Sequence, residues 1–529
     1  MSATEAAIPQ NPLQLAVNEA LAAKSRRDYS LALSRISEVF RAAPLAFRNA
    51  QAWAALFNAP AWFASEAEHD DYLSYADSLM SMIESGCASL DRNLASDIAD
   101  HFLKGAQFRH TVHNDRMLTG FMTRRSSLFG YALANVPQSR NHVFPGPVSN
   151  PDRPRLGIIF KHLREDPETT SVLPFFQTAK ASGIEVVLFV VEARGHPKVI
   201  EHMRSVCDRI LSLPANVGQA VETLRRENLD ILLFGNDITA KPSLPAYLSF
   251  FKVARYMCCC VSTLVTTASP QMDAYLGCDY YAAKGCAGEF TERFITLPDP
   301  GFAFTFPGRQ TIGADDIVDR KTLGLEADDL LLTSGANHTK LHADLIATWA
   351  VIMKQLPQAK LLLYPFPPHF GPAGAELEQR LRSQFAGAGV DPDRLLLSAP
   401  LPGRDAVIAM IRHADLGLDS FPYTGVTTIV DAVEAGLPTV SLAGRTLRTA
   451  QAGAILHSIG FDELVVEDKE SYIRLAVELG KDGARRQALR DRLTAVSAKK
   501  PPFFDVDSFG AAAVAVYRKI HAEMASAAV

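Results

Sequence analysis

The chain has 529 residues, of which 48% are hydrophobic and 21% charged, and its formal net charge is −5. This length is too great for one ordinary core, so about two to four domains are expected. The composition is typical of globular proteins, and the negative charge argues against nucleic acid as a main partner, because phosphate backbones attract basic surfaces.

The sequence shows no recognisable targeting or membrane segment. Residues 1–7 lack the basic stretch and apolar core of a signal peptide, and no apolar run reaches the roughly 18 residues of a membrane span. We therefore expect a soluble, cytoplasmic protein without a membrane span.

The seven cysteines, an odd number without a Cys-x-x-Cys pair, fit neither a disulfide framework nor a zinc site. The run at 258–260 is interpreted as part of a buried strand, because free cysteine packs as a small hydrophobe. Redox chemistry at this run is the alternative.

The N-terminal part of the chain has a helical pattern. Residues 13–131 are rich in Ala and Leu at helical spacing and show no alternating strand pattern. This predicts an all-helical domain over residues 1–140, followed by a Pro- and Asn-rich linker at 141–155. Residues 27–44 resemble one tetratricopeptide repeat, but no second copy follows at its period, so a helical bundle is predicted rather than a solenoid.

Short apolar runs separated by helical patterns begin at Leu156. They lie at 156–160, 184–191, 209–211, 229–234, 330–334, 360–364, 394–398, 416–419 and 438–442. Continuous hydrophobicity is typical of strands covered on both faces, and hence of a parallel α/β sheet. We predict two Rossmann-like lobes, residues 156–305 and residues 306–529 with C-terminal helices, facing a ligand cleft at the carboxyl ends of their strands.

Residues 419–440 are the most informative stretch of the chain. The pattern predicts a strand end, a loop containing Gly425, a helix opened by Thr427 and Thr428, a glycine stop and another strand. Either threonine hydroxyl would be a good helix cap. The free amides of the first turn favour a phosphate, and Asp431 lies one turn further along the same face, where it could bind a ribose. An ordinary turn with capping threonines is the alternative.

Two further loops follow strands at the same edge of the sheet. One contains Asn337 and Lys340, and the other contains Arg404. Lys340 could neutralise a diphosphate, and Arg404 could do so too or lie near a base. Each loop alone could be purely structural. Together with the helix start and Asp431, they predict a nucleotide-diphosphate site that needs no metal.

These segments resemble the catalytic region of glycosyltransferase family 41, which contains protein O-GlcNAc transferases, SPINDLY-like enzymes and bacterial adhesin N-glycosyltransferases. The resemblance covers roughly residues 155–529 and rests on 337–341, 418–438, 459–464 and 502–505. It implies a GT-B fold, no cofactor, and UDP-glucose, UDP-galactose or UDP-GlcNAc as donor. The nucleotide-sugar-binding residues that it implies are Asn337, Lys340, Arg404, Gly425, Thr427, Thr428 and Asp431.

The sequence departs from the family at its histidines. Val426, Ala268 and the loop that contains Glu168 occupy positions where family members carry a histidine. We therefore consider Glu168 as the catalytic base, with His162 as an alternative. A solvated Glu168 without a catalytic role is the competing interpretation.

The resemblance implies an inverting, metal-independent transferase that moves a hexose or N-acetylhexosamine to a protein, with Lys340 stabilising the departing diphosphate. Residues 419–422 resemble the N-linked branch and Thr427 with Thr428 the O-linked branch, so the acceptor side chain, Asn or Ser/Thr, stays open. Adhesins, flagellins and other surface proteins are the acceptors considered. The alternatives are a catalytically impaired UDP-sugar-binding or scaffold protein, and a small-molecule glycosyltransferase or epimerase.

Overall fold

Two parallel sheets flanked by helices follow a helical region at the N-terminal end. The computed structural model describes residues 12–60, 62–145, 153–192, 194–309, 313, 318–326, 328–364, 372–399 and 401–527. Residues 146–152 of the predicted linker lie outside this set. None of the described helices combines the length and the apolar character needed to cross a membrane.

The N-terminal region consists of six described α-helices. They are α1 (Pro12–Ser25), α2 (Tyr29–Ala42), α3 (Ala50–Phe57), α4 (Glu66–Ser89), α5 (Arg92–Gly105) and α6 (Thr119–Ala132). The side chains of Asp28, Asn49, Ser65 and Asp91 accept hydrogen bonds from the first turns of α2 to α5, as good helix caps do. The prediction of an all-helical N-terminal region is confirmed.

The first sheet contains seven described strands, all parallel, in the order β3-β2-β1-β4-β5-β6-β7. The strands are β1 (Arg155–Phe160), β2 (Glu185–Val190), β3 (Arg209–Ser212), β4 (Ile231–Phe234), β5 (Tyr256–Cys259), β6 (Ala274–Cys278) and β7 (Arg293–Leu297). Their helices are α7 (Pro167–Val172), α8 (Pro197–Val206), α9 (Val217–Arg226), α10 (Leu244–Leu248) and α11 (Asp279–Ala283). Cysteines 258 and 259 lie in β5, Cys260 follows it, and all three are fully buried.

The second sheet contains six described strands, also parallel, in the order β10-β9-β8-β11-β12-β13. The strands are β8 (Leu330–Ser334), β9 (Ala359–Leu363), β10 (Leu395–Leu397), β11 (Leu416–Leu418), β12 (Thr439–Leu442) and β13 (Val465–Val466). The helices are α12 (Ala343–Gln355), α13 (Pro372–Gly387), α14 (Arg404–Ile411), α15 (Thr427–Ala435), α16 (Leu447–Ser458), α17 (Lys469–Lys481), α18 (Gly483–Ser497) and α19 (Val506–Ala527). The predicted parallel α/β architecture is confirmed.

The last helix departs from the predicted division of the chain. The sequence pattern predicts that residues 306–529 form the second lobe, but α19 packs against the first. The Phe509 ring lies 4.9 Å from that of Phe175, and Glu523 forms a 2.8 Å ion pair with Arg293 of β7. The chain therefore returns to the first lobe at its C-terminal end, because the apolar face of α19 is covered there.

Candidate active site

A cavity of about 610 Å³ lies between the two lobes. The first lobe and the connection contribute Arg164, Glu165, Asp166, Pro167, Thr170, His196, Phe306, Gly308 and Arg309; the second lobe contributes Pro402, Gly403, Arg404, Asp405, Thr427 and Asp431. Three of the predicted nucleotide-binding residues, Arg404, Thr427 and Asp431, thus share one cavity. A concave space between lobes is where ligands of such folds are expected.

Helix α15 begins at Thr427, but the prediction that a threonine caps it is wrong. The position before the helix is taken by Val426, and no side-chain cap is present there. Thr427 and Thr428 are the first two helical residues instead. Because no described side chain caps the first turn and Thr427 lines the cavity, the start of α15 is placed to receive an anion.

Thr428 and Gly425 fix the loop that leads into α15. A Cβ atom on Gly425 would lie 2.2 Å from Thr428 Oγ1, and one on Gly335 would lie 2.5 Å from Thr428 Cγ2. Only glycine fits such close approaches. The amide of Gly425 also donates to Asp419 Oδ1 at 2.9 Å. Gly425 and Thr428 therefore act here by packing, next to the cavity-lining Thr427.

Arg404 and Asp431 are paired with each other rather than standing free. Arg404 Nε lies 2.6 Å from Asp431 Oδ1, and its Nη2 lies 2.6 Å from Glu434 Oε2. Burial raises the pKa of Asp431 to about 7, although Arg404 opposes the shift. The Arg404 guanidinium also stacks 4.2 Å from the Phe306 ring centre. A ligand that binds Asp431 must share or displace this pairing.

Arg309 extends the charged network and was not predicted. It belongs to the connection between the lobes and contacts Asp405 at 2.9 Å and Glu434 at 2.7 Å. The neighbouring amide of Gly308 donates to Glu165 Oε1 of the first lobe at 2.8 Å. The connection is thereby held to both walls of the cavity. No periodic pattern or motif in the sequence distinguishes this arginine.

Lys340 lies beside the loop that precedes α15. Its Nζ donates to the carbonyl oxygen of Thr424 at 2.8 Å and lies 4.2 Å from the ring centre of Tyr423. Burial lowers the pKa of Lys340 to about 8, with a smaller opposing effect from Asp419. Lys340 is not among the described residues that line the cavity. Asn337 is exposed, and its side chain accepts a hydrogen bond from the Thr339 amide.

Glu168 is the second residue of α7, between residues that line the cavity. Its Oε2 accepts a 2.7 Å hydrogen bond from Asn236 Nδ2. Burial, followed by the charge of Asp237, raises the pKa of Glu168 to about 7. A carboxyl group with a pKa in this range can exchange a proton near neutral pH. The alternative base, His162, has its Nδ1 3.5 Å from Asp166 Oδ2.

His113 and Tyr423 are two further candidate site residues that the sequence did not predict. His113 comes from the helical region, and its Nδ1 lies 3.0 Å from the Thr339 carbonyl oxygen. Its ring lies 4.8 Å from that of Tyr423. Burial and then the charge of Asp237, a first-lobe residue, raise the pKa of Tyr423. A lone histidine 226 residues from its partner carries no sequence signal.

Comparisons with known proteins agree with this arrangement. Residues 308–512 match the model of glycosyl transferase family 41. This stretch of the chain therefore has the sequence pattern of that family. The match contains the second-lobe wall of the cavity, including Arg404, Thr427 and Asp431, and confirms the family resemblance.

Two curated relatives of the chain are plant proteins. The chain is 22% identical over 369 residues to a probable UDP-N-acetylglucosamine–peptide N-acetylglucosaminyltransferase SEC of Arabidopsis thaliana, covering 67% of this chain and 35% of that protein. It is 29% identical over 238 residues to a probable SPINDLY transferase of Petunia hybrida, covering 45% and 24%. The chain thus spans about a third or less of the length of these relatives.

A solved structure resembles nearly the whole chain. It is a mutant of an O-GlcNAc transferase from Thermobaculum terrenum, with a TM-score of 0.65, 20% identity and coverage of 98% of both chains. At this identity the likeness shows the fold, and it supports the predicted GT-B arrangement.

Proposed function

We propose that this chain is a UDP-sugar-dependent glycosyltransferase that modifies proteins. The observation that carries the proposal is the cavity between the lobes, where the uncapped start of α15 meets Arg404 and Asp431. The family match covers these residues. The names of the curated relatives, which are peptide N-acetylglucosaminyltransferases, support a protein acceptor.

In the proposed complex, the diphosphate of the donor lies at the start of α15. Amides of the first turn and the positive end of the helix dipole stabilise its charge. Lys340, held at the neighbouring Thr424, supplies a full positive charge as the diphosphate departs. Asp431 binds the ribose hydroxyls once Arg404 has moved towards Glu434 or the base. Lys340 and the amides neutralise the leaving group, so we propose a reaction without a metal ion.

Sugar transfer then proceeds as a single displacement that inverts the anomeric carbon. The acceptor side chain attacks the anomeric carbon, the bond to the diphosphate breaks, and UDP leaves. Glu168 takes the proton of the acceptor group, since burial gives its carboxyl a pKa close to neutral pH. The transferred sugar is a hexose or N-acetylhexosamine, and the acceptor residue is Asn or Ser/Thr.

A second candidate function is a scaffold that binds UDP-sugars without transferring the sugar. The substitutions at Val426 and Ala268 favour it, because the family's histidines are absent there. Ala268 adopts a left-handed backbone with φ of 49°, which is uncommon for a residue other than glycine.

Intact-mass analysis distinguishes the two functions. Adhesins, flagellins and other surface proteins are co-expressed with the wild-type chain or with the Lys340→Ala control, and their masses are compared. The proposal predicts a mass gain of a hexose or an N-acetylhexosamine only with the wild-type chain, persisting when lysates are assayed in EDTA. Calorimetry with UDP is run in parallel. Saturable UDP binding without transfer from UDP-glucose, UDP-galactose or UDP-GlcNAc would support the scaffold instead, and absence of UDP binding would contradict both functions.

A further inference from the structure

The start of α16 is held by a residue of the distant helical region. The carboxylate of Asp115 accepts hydrogen bonds from the amides of Arg445 at 2.9 Å and Thr446 at 3.1 Å, and from Thr449 Oγ1 at 2.6 Å. An acidic side chain at a helix start satisfies free amides and interacts favourably with the dipole. Asp115 thus caps a second-lobe helix from another part of the molecule.

Arg448, in the first turn of α16, reaches the first lobe. Its guanidinium forms an ion pair with Glu289, and both side chains are fully buried. The same guanidinium donates to the carbonyl oxygen of Arg116, in the helical region. Removing one partner from such a pair leaves an uncompensated buried charge, which is strongly destabilising. The first turn of α16 is therefore fixed by all three parts of the molecule.

Thr424 connects this fixed turn to the loop before α15. Its amide donates to the Arg448 carbonyl oxygen at 3.3 Å, and its hydroxyl lies 3.4 Å from the same oxygen. The amide of Ala452 donates to the Thr424 hydroxyl at 3.2 Å. In an α-helix the carbonyl oxygen of Arg448 would accept a hydrogen bond from the amide of Ala452, four residues later. The Thr424 hydroxyl contacts both of these groups. Thr424 is fully buried.

The carbonyl oxygen of Thr424 is also the acceptor for the Lys340 ammonium, at 2.8 Å. Three titratable groups face Lys340: Asp419 and Tyr423 in its own lobe, the latter with its ring centre 4.2 Å from Nζ, and His113 from the helical region. A lysine on a flexible stem loses several rotatable degrees of freedom when it is held in one position. The fixed carbonyl of Thr424 is what holds it.

We propose that Thr424 is a positioning residue. The helical region and the first lobe hold α16, the contacts of Thr424 with α16 fix the Thr424 carbonyl oxygen, and that oxygen holds Lys340. This inference rests on the proposed function, in which Lys340 stabilises the departing diphosphate. The helical region then stabilises the position of Lys340 in the donor site. Neither Thr424 nor Arg448 needs to touch the donor for this role.

The test compares Thr424→Val, which removes the hydroxyl and keeps the shape, with Thr424→Ser, which restores the hydroxyl. The pH dependence of Lys340 acetylation by acetic anhydride is measured by peptide mass spectrometry on the full chain. The wild-type midpoint is expected at about 8. In the valine variant the loop moves away from α16 and no longer encloses Lys340, so the burial that lowers its pKa is partly relieved and the midpoint rises by about half a unit or more. In the serine variant the midpoint returns to the wild-type value.

Asp115→Ala provides a second arm in case the valine variant does not fold. This variant removes the acidic cap of α16, so the Lys340 midpoint is expected to rise as well, by a smaller amount. Unchanged midpoints in the folded variants would overturn the inference. A shifted midpoint in a chain that transfers no sugar would leave the inference intact and remove the proposed function, whereas sugar transfer without a shift would do the reverse.

Discussion

The second-lobe wall of the cavity takes Arg404, Thr427 and Asp431 from the N-terminal halves of the helices that follow β10 and β11. The first-lobe wall depends instead on a short helix and on partners far along the chain. Thr427, Asp431 and Arg404 lie within one sheet edge. Glu168 is instead held by Asn236, 68 residues away. The comparison suggests that the second lobe binds the donor and that the first lobe serves the chemistry.

Replacing Lys340 should give the largest effect, because it tests charge stabilisation at the second-lobe wall. Lys340→Ala is expected to lower kcat for sugar transfer by about 10²–10³-fold, in line with the loss of one charge-stabilising group. The thermal unfolding midpoint should change little. The control is Lys354→Ala, which removes an exposed lysine at the end of α12. Equal activity of the two variants would contradict the role of Lys340.

Glu168→Gln tests whether the first lobe serves chemistry alone. The amide cannot take a proton, so kcat should fall by about 10²-fold, as expected for loss of a general base. The Kd for UDP, measured by calorimetry, should stay within about twofold of wild type, given the assignment of donor binding to the second lobe. Glu201→Gln, at an exposed position of α8, is the matched control. Weakened UDP binding with unchanged kcat would show instead that Glu168 of the first lobe serves donor binding and not the chemistry.

Asp431→Asn tests donor binding by the second lobe. The variant keeps the size of the side chain but releases Arg404 and loses the carboxylate for the ribose, so UDP should bind about tenfold more weakly, as for loss of one charged hydrogen bond. Asp393→Asn, at a position whose side chain is 93% exposed, is the control. Calorimetry gives the comparison directly. Equal Kd values for the two variants would remove Asp431 from the site.

The smallest expected effect concerns pH, and it involves both walls at once. Glu168 acts as a base only when deprotonated, so kcat/KM should rise as pH increases through about 7. Lys340 stabilises charge only when protonated, so kcat/KM should fall above about 8. Bell-shaped profiles report such a pair of groups in the free enzyme. In Glu168→Gln the acidic limb should become shallower, because only Asp431, whose pKa burial also raises to about 7, still titrates there. The alkaline limb should stay.

The strands with continuous apolar runs could be predicted from the sequence because burial on both faces leaves no other pattern. Leu330–Ser334 is β8 as predicted. β6 and β7 were not predicted: β6 contains Gly277, and β7 is an edge strand whose residues are mostly exposed or half-buried. Edge strands show weaker hydrophobic patterns because one side of the strand lacks a neighbour.

The site could be predicted only where its residues follow strands in the same lobe. The pairing of Arg404 with Asp431 depends on how α14 packs against α15, and no sequence pattern predicts the distance between their side chains. The contacts of His113 and Asp115 join the helical region to the second lobe, more than 200 residues later in the chain. Tertiary packing alone creates such contacts, so no local pattern indicates them.

A crystal structure of the chain with UDP would test the central claim most directly. The account predicts the diphosphate at the amides of Thr427 and Thr428, the Lys340 ammonium within reach of a phosphate oxygen, and the ribose hydroxyls on Asp431 with Arg404 moved away from it. UDP bound elsewhere, or bound in the cavity with the Arg404–Asp431 pair intact and α15 untouched, would contradict the account.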